Sequence, residues 1–290
     1  MSVAVVVDVE QLGRQRVTTV VALAFCGVNS YSHTERVRLT DKNEHIGATS
    51  ILILLPPSEG KAAGGNAGQP WNPASGTFSE TLQDKCLTVV KALKKLRGGD
   101  AALLGVKGEH LERARRANAS LIGAPSLPAW QRYTGVVWDH LELASLSTTE
   151  RKRALSSIAV VSALTGLVMA SDPLPDYRLK MGTRLESTGS LATWWRPEVT
   201  SALLHISQRR TLIDLLPQEH RGAIDWDQLT GAIRLELVAK SGGKVGGHNA
   251  KAAKGLLARH LLSATSNGAT VAKAAASFKN AEYSARVVTL

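Results

Sequence analysis

Ile51-Leu52-Ile53-Leu54-Leu55-Pro56-Pro57 is the stretch on which the architecture turns. Five consecutive apolar residues halted by two prolines read as a strand buried in a sheet, because proline cannot continue the ladder. Beyond the prolines come Ser58-Glu59-Gly60-Lys61, a strand-to-loop passage ending in Gly-Lys. It is not a Walker A loop, which requires glycine five positions before Gly60 and a hydroxyl residue after the lysine. This chain has Leu55 and Ala62 there. Lys61 still lies just past a buried strand, where α/β proteins place ligands. Contact with an anion and an ordinary surface loop both fit the residues.

Downstream, a Gly- and Pro-rich loop (62–76) precedes helical spacing over Ser79 to Leu96. Leu82, Cys86, Val89, Val90 and Leu93 share one face, and Lys85, Lys91, Lys94, Lys95 and Arg97 occupy the others. Gly98-Gly99 ends that helix. Then comes Leu104-Gly105-Val106-Lys107-Gly108-Glu109-His110-Leu111-Glu112-Arg113-Ala114-Arg115-Arg116. Two glycines three apart permit a tight turn and leave amides facing an anion. Leu103, Leu104, Val106, Leu111 and Ala114 would pack such a turn between two short helices. The layout, about residues 82–120, is that of a helix-hairpin-helix-like element gripping a DNA backbone. Glycines are also ordinary loop punctuation before a basic helix.

Ala129 to Asp139 and Ile158 to Met169 are each strand or buried helix by periodicity. Pro173 and Pro175 call for a loop. Thr193 to Ile206 and Gly255 to Leu262 read as helices, Thr211 to Ile213 and Ile233 to Val238 as strands. The fold class is therefore α/β (mixed α+β), with one domain over 51–290. Residues 1–50 show no clean period and read as a poorly ordered N-terminal extension, with a start site placed too far upstream.

With 290 residues and 44% hydrophobic content, the chain can bury a large core. Its longest apolar run, Val17 to Val28, is broken by threonines and falls short of the roughly 20 residues of a membrane span, so no membrane association is expected. No small-x-small cleavage site follows that run, which argues against secretion. Cys26 and Cys86 stand far apart without metal-like neighbours. Neither a disulfide nor a metal site is indicated, a reducing cytoplasm fits, and Cys86 reads as a small buried hydrophobe. Net charge is +11. Arg14, Arg16, Arg36, Arg38 and Lys42 balance Asp8, Glu10, Glu35, Asp41 and Glu44, so the excess lies beyond residue 50. That surplus favours a polyanionic partner.

Two further segments concentrate chemistry. Asp172-Pro173-Leu174-Pro175-Asp176-Tyr177-Arg178-Leu179-Lys180-Met181-Gly182 gathers carboxylates, a phenol and two cations. Either they bind a ligand, with Arg178 clamping a carboxylate or phosphate, or Asp176 pairs locally as scaffold. In Gly246 to Arg259, Lys251, Lys254 and Arg259 share one helical arc opposite Ala253, Leu256 and Leu257, and His248 and Asn249 add donors at the helix start. His220 reads as structural. Two site sets result. DNA-backbone contacts fall to Gly105 and Gly108 amides with Lys107, Arg113 and Arg116, supported by Lys94, Lys95, Lys251 and Lys254. Four to six phosphate contacts imply a log-log salt slope of about −4 to −5. A pocket for a small anionic or nucleotide-like ligand falls to Ser58, Lys61, Asp176, Tyr177, Arg178, Lys180, His248 and Asn249. No cofactor is indicated and a monomer is expected; whether the chain has catalytic activity stays open.

Five blocks, in order, carry a resemblance: Ile53 to Lys61, Arg132-Tyr133-Thr134-Gly135-Val136-Val137, Pro175 to Leu185, Trp194-Trp195-Arg196-Pro197, and Asn249 to Arg259. Together they resemble the YaaA family of peroxide stress proteins (DUF328, UPF0246) over about residues 51–265. The first block departs from the family's frequent Ser-Pro-Ala-Lys, since this chain reads Pro57-Ser58-Glu59-Gly60-Lys61. The resemblance implies a cytoplasmic bacterial protein that limits oxidative damage by lowering free intracellular iron under peroxide. It further implies an α/β fold peculiar to the family and duplex-DNA binding through a helix-hairpin-helix element and a positive cleft. The element matches Gly105 to Arg116 here.

Overall fold

A computed structural model describes residues 50–243 and 245–288. The anticipated extension therefore lies outside the described residues, apart from Ser50. The apolar run forms β1 (Ile51–Leu55), every residue of it buried. After β2 (Asn66–Pro70) comes α1 (Ser79–Lys95), whose buried residues are Leu82, Cys86, Val89, Val90 and Leu93, the face its spacing predicts. Arg97, Gly98 and Gly99 then adopt positive φ and turn the chain sharply. Next are α2 (Ala101–Leu104), α3 (Gly108–Ala119) and β3 (Pro125–Pro128).

The two segments left open by periodicity resolve differently. Ala129 to Asp139 becomes two short helices, α4 (Ala129–Arg132) and α5 (Val136–Leu141), separated at Gly135 with φ 129°. Following α6 (Thr148–Ser156), Ile158 to Met169 becomes an antiparallel hairpin of β4 (Ile158–Ser162) and β5 (Gly166–Met169). The loop expected at Pro173 and Pro175 is instead a short strand, β6 (Pro173–Pro175), paired with β3. It is the outer strand of the sheet β2-β3-β6, where missing N–H donors are tolerated.

The remaining elements are the pair β7 (Arg184–Leu185) and β8 (Gly189–Ser190), α7 (Leu191–Ser207), β9 (Thr211–Asp214) and α8 (Gln218–Arg221). The chain then forms β10 (Ile233–Ala239), α9 (Gly247–Ser266), α10 (Val271–Ser277) and β11 (Tyr283–Val288). The main sheet has the order β11-β10-β9-β1-β4-β5. Its four inner strands run parallel, and β5 and β11 pair antiparallel at the edges. Burial of β1 and β4 along their whole lengths follows from this central position.

On α9 the structure corrects one side-chain assignment. Leu256, expected on the packed face, is exposed, and the close contact is made by Gly255 beside it. A Cβ there would stand 2.3 Å from the Val137 carbonyl oxygen, so α9 and α5 cross with backbone against side-chain-free backbone. Leucine on that line would hold the helices apart.

Candidate functional site

All four parallel strands end on the same edge of the sheet. β1 and β9 are neighbours, but the sheet continues from β1 toward β4 and from β9 toward β10, in opposite directions. A crevice beyond the strand ends is expected at such a point. Residues 56–61 leave β1 there, and Ser162 closes β4 on the same edge.

Lys61 is buried. Its ammonium donates to the Ser58 carbonyl at 2.9 Å and lies 4.1 Å from the Tyr177 ring centroid. Burial pushes its pKa down to about 7, with the Asp176 carboxylate opposing and Arg178 adding to the fall. The Tyr177 hydroxyl is 3.0 Å from both the Tyr133 hydroxyl and Ser162 Oγ. Ser162 Oγ also accepts from the N–H groups of Leu164 and Thr165. Burial raises the Tyr177 phenol to about 12 and lifts Tyr133 well above its ordinary value. Both phenols therefore stay protonated, and the result is a fixed hydroxyl chain under an aliphatic amine.

Above this chain sits an ionic layer. Arg113 on α3 pairs with Asp176 at 2.9 Å and donates to the Lys61 carbonyl at 2.8 Å. Arg178 pairs with Glu59 at 2.8 Å, and Lys180 meets the same carboxylate at 3.4 Å. Burial alone would raise the Glu59 carboxyl, but Lys180 and Arg178 together hold it below its usual value. Arg178 Nε donates to the Leu104 carbonyl at 3.1 Å, which ties this layer to the turn after α2. In that turn Gly105 is left-handed at φ 63°, and a Cβ on it would lie 3.3 Å from Lys180 Nζ. The anticipated turn and the anticipated pocket thus meet at Leu104, Gly105, Arg178 and Lys180.

Other anticipated residues stand apart from this group. Ser58 contributes its carbonyl to Lys61 while its hydroxyl bonds Gly60. Asn249 bonds Glu282, and His248 lies edge-on to His140 with ring centroids 6.4 Å apart. Neither joins the Lys61 cluster by a described contact. Lys254 turns inward, donating to the Leu215 carbonyl at 2.6 Å, while Lys251 is exposed. Lys94, Lys107, Gly108 and Arg116 are exposed, and Lys95 reaches Glu186 at 3.2 Å.

Four structural partners lie outside both anticipated site sets, although Arg132 and Tyr133 fall in the second resemblance block. Asn118 clamps residue 178 on both sides, accepting from its N–H at 2.9 Å and donating to its carbonyl at 2.8 Å. Arg132, fully buried, serves four carbonyls. Tyr133 and Ser162 complete the hydroxyl chain. A polar residue on the inward face of an amphipathic helix was the available sign for Asn118. Among the described residues, no three His, Cys, Asp or Glu side chains gather as a metal-ligand set. No described helix is long and apolar enough to cross a membrane. Cys86 is buried and its thiol is pushed up to about 12, leaving little thiolate at neutral pH.

On α8, His220 is lowered to about 4, chiefly by burial and further by Lys254, with Glu219 opposing. Its unfolded form takes up a proton near 6.5. Between those values the unfolded chain binds more protons, so stability falls as pH drops from about 6.5 toward about 4. His220→Gln should flatten that limb of the urea midpoint against pH. An unchanged limb would place the acid sensitivity elsewhere.

The family profile described as peroxide stress protein YaaA matches residues 51–286. A UPF0246 protein of Corynebacterium efficiens is 36% identical over 233 residues, covering 78% of this chain and 90% of its own. A UPF0246 protein of Streptomyces coelicolor is 33% identical over 220 residues, covering 73% of this chain and 83% of its own. One from Corynebacterium glutamicum is 36% identical over 219 residues, covering 73% and 84%.

Proposed function

The chain belongs to the YaaA family of peroxide stress proteins, and from that premise we propose that it binds duplex or branched DNA through backbone phosphates. In this reading it acts as a cytoplasmic monomer and helps to limit iron-dependent oxidative damage at the level of DNA. The observation that carries the reading is the exposed turn between α2 and α3. Gly105 and Gly108 both have positive φ there, 63° and 57°, and the turn opens directly onto the first amides of α3. Unpaired amides at a helix start favour an anion. We read α2, the turn and α3 as the helix-hairpin-helix-like grip.

The number of cations free to serve phosphates is smaller than composition implies. Arg113 is held by Asp176 and Lys254 by the Leu215 carbonyl. Lys94, Lys107, Arg116 and Lys251 are exposed without an ion-pair partner among the described residues. About four phosphate contacts give a log-log salt slope of about −4 for duplex affinity, at the shallow end of the −4 to −5 of the full set. Fluorescence anisotropy across salt measures it, and a slope near zero sinks the reading.

A second reading is favoured by the buried Lys61 amine on its hydroxyl chain at a strand end: an enzyme acting on a small anionic or nucleotide-like substrate. The same titration separates the two. A flat duplex response together with saturable binding of a mononucleotide supports the enzyme.

A further inference from the structure

We propose that Arg178 and Lys180 form a binding site for a phosphate group at the foot of the Gly105 turn, and that the Glu59 carboxylate is the site's resident occupant, displaced when phosphate arrives. The proposal rests on the backbone-binding reading only for the source of that phosphate.

The Arg178 guanidinium is built in and the acid is not. The Arg178 side chain is 19% exposed, whereas that of Glu59 is 66% exposed. Asn118 fixes the Arg178 backbone from both sides, and the Leu104 carbonyl takes Nε. The two terminal nitrogens are left facing Glu59, at 2.8 Å to the carboxylate and 3.4 Å to its backbone carbonyl. A guanidinium fixed in this way presents a planar fork that matches phosphate oxygens as well as it matches a carboxylate. Lys180 adds a second cation, and the missing side chain at Gly105 lets the turn's backbone stand beside it.

Charge balance points the same way. Among the described residues, the carboxylates paired with Lys61, Arg113, Arg132, Arg178 and Lys180 are those of Glu59 and Asp176, and Asp176 is already engaged by Arg113. Removing Glu59 would leave Arg178 and Lys180 without an ion-pair partner among the described residues. Glu59 sits on the loop Pro57-Ser58-Glu59-Gly60, after the end of β1, and reaches its partners from the solvent side. Exposed ion pairs are held weakly, so a phosphate oxyanion can take its place. The carboxylate is thus a stand-in for the ligand and a filter against weaker anions.

The test uses the full chain with Glu59→Gln, which keeps size and removes charge. Glu80→Gln, on an exposed residue of α1 without a described partner and away from the turn, reports the general effect of losing one negative charge. Inorganic phosphate is titrated by 31P line broadening, and an unphosphorylated duplex by anisotropy. If the closed pair holds roughly nine molecules in ten, Glu59→Gln should tighten phosphate about tenfold. Glu80→Gln should have a much smaller effect, and adding Arg178→Gln to Glu59→Gln should cancel the gain. Tightening toward both probes identifies a backbone phosphate as the source, and tightening toward inorganic phosphate alone identifies a free one. Equal effects of the two glutamine variants on both probes overturn the site. Duplex that fails to bind even wild type overturns the DNA reading instead, while the phosphate titration still decides this one. Glu59→Asp, which shortens the reach and keeps the charge, should give an intermediate gain if Glu59→Gln is poorly folded.

Discussion

Replacing Arg132 by methionine is expected to lower the thermal midpoint by roughly 10 °C, the largest stability effect of any single substitution considered for this chain. Arg132 is 0% exposed, yet each of its three nitrogens donates a hydrogen bond. It donates to the carbonyls of Leu174 on β6, Ala62 and Gly64 in the loop after β1, and Pro125 on β3. One side chain thus fastens the three-stranded sheet to the loop that carries Lys61. Methionine fills similar space and supplies no donor, so four carbonyls, that of Leu174 buried and the others partly so, lose their partner at once. Breaking a buried charged network costs about 3–5 kcal/mol. Lysine should recover little, because a point charge cannot serve carbonyls spread around a plane. Calorimetry decides the matter, and a shift below about 3 °C would mean that water satisfies the freed carbonyls.

The largest expected functional effect is on duplex affinity. Lys107→Glu combined with Arg116→Glu should weaken binding on the order of hundredfold at moderate salt and reduce the salt slope by about 2. Both side chains are exposed, one at the N-cap of α3 and one in its last turn, so the substitutions touch no packing. Arg113, although on the same helix, is a poor choice for this test. Reversing it would set a carboxylate against Asp176 and free the Lys61 carbonyl, confusing loop disruption with lost contact. Anisotropy with the double variant, at matched salt, measures the effect. A loss below about threefold would remove the turn from the interface.

How much was legible follows from which residues speak locally. Ile51–Leu55 announced a buried strand because five apolar residues leave no polar face to expose. The buried face of α1 was readable because its spacing repeats over 17 residues. The Lys61, Arg178 and Gly105 motifs were recognisable as polar groups on loops. Their meeting was not, since it depends on Asn118 and Arg113 reaching across from α3 to residues 176–178. Tyr133 and Ser162 looked like core residues because they are core residues, and only their hydroxyl groups link them to Tyr177. Pro173 and Pro175 misled because an outer strand forgives what an inner one does not. His248 and Asn249 seemed natural pocket members and Lys254 a phosphate contact, but the rotation of α9 about its Gly255 contact sets each of them on other partners.

The position of β1 also has a consequence during synthesis. Its partner Ile158 lies on β4 and its partner Ile213 on β9, both encoded far downstream. At roughly 5–20 residues per second, a ribosome takes several seconds at least to deliver the first of them and longer for the second. Throughout that interval Ile51–Leu55 emerges as five bare apolar residues with both hydrogen-bonding edges open. A strand buried along its whole length in the finished molecule is therefore an adhesive segment of the nascent chain, and a place where a holding chaperone would bind.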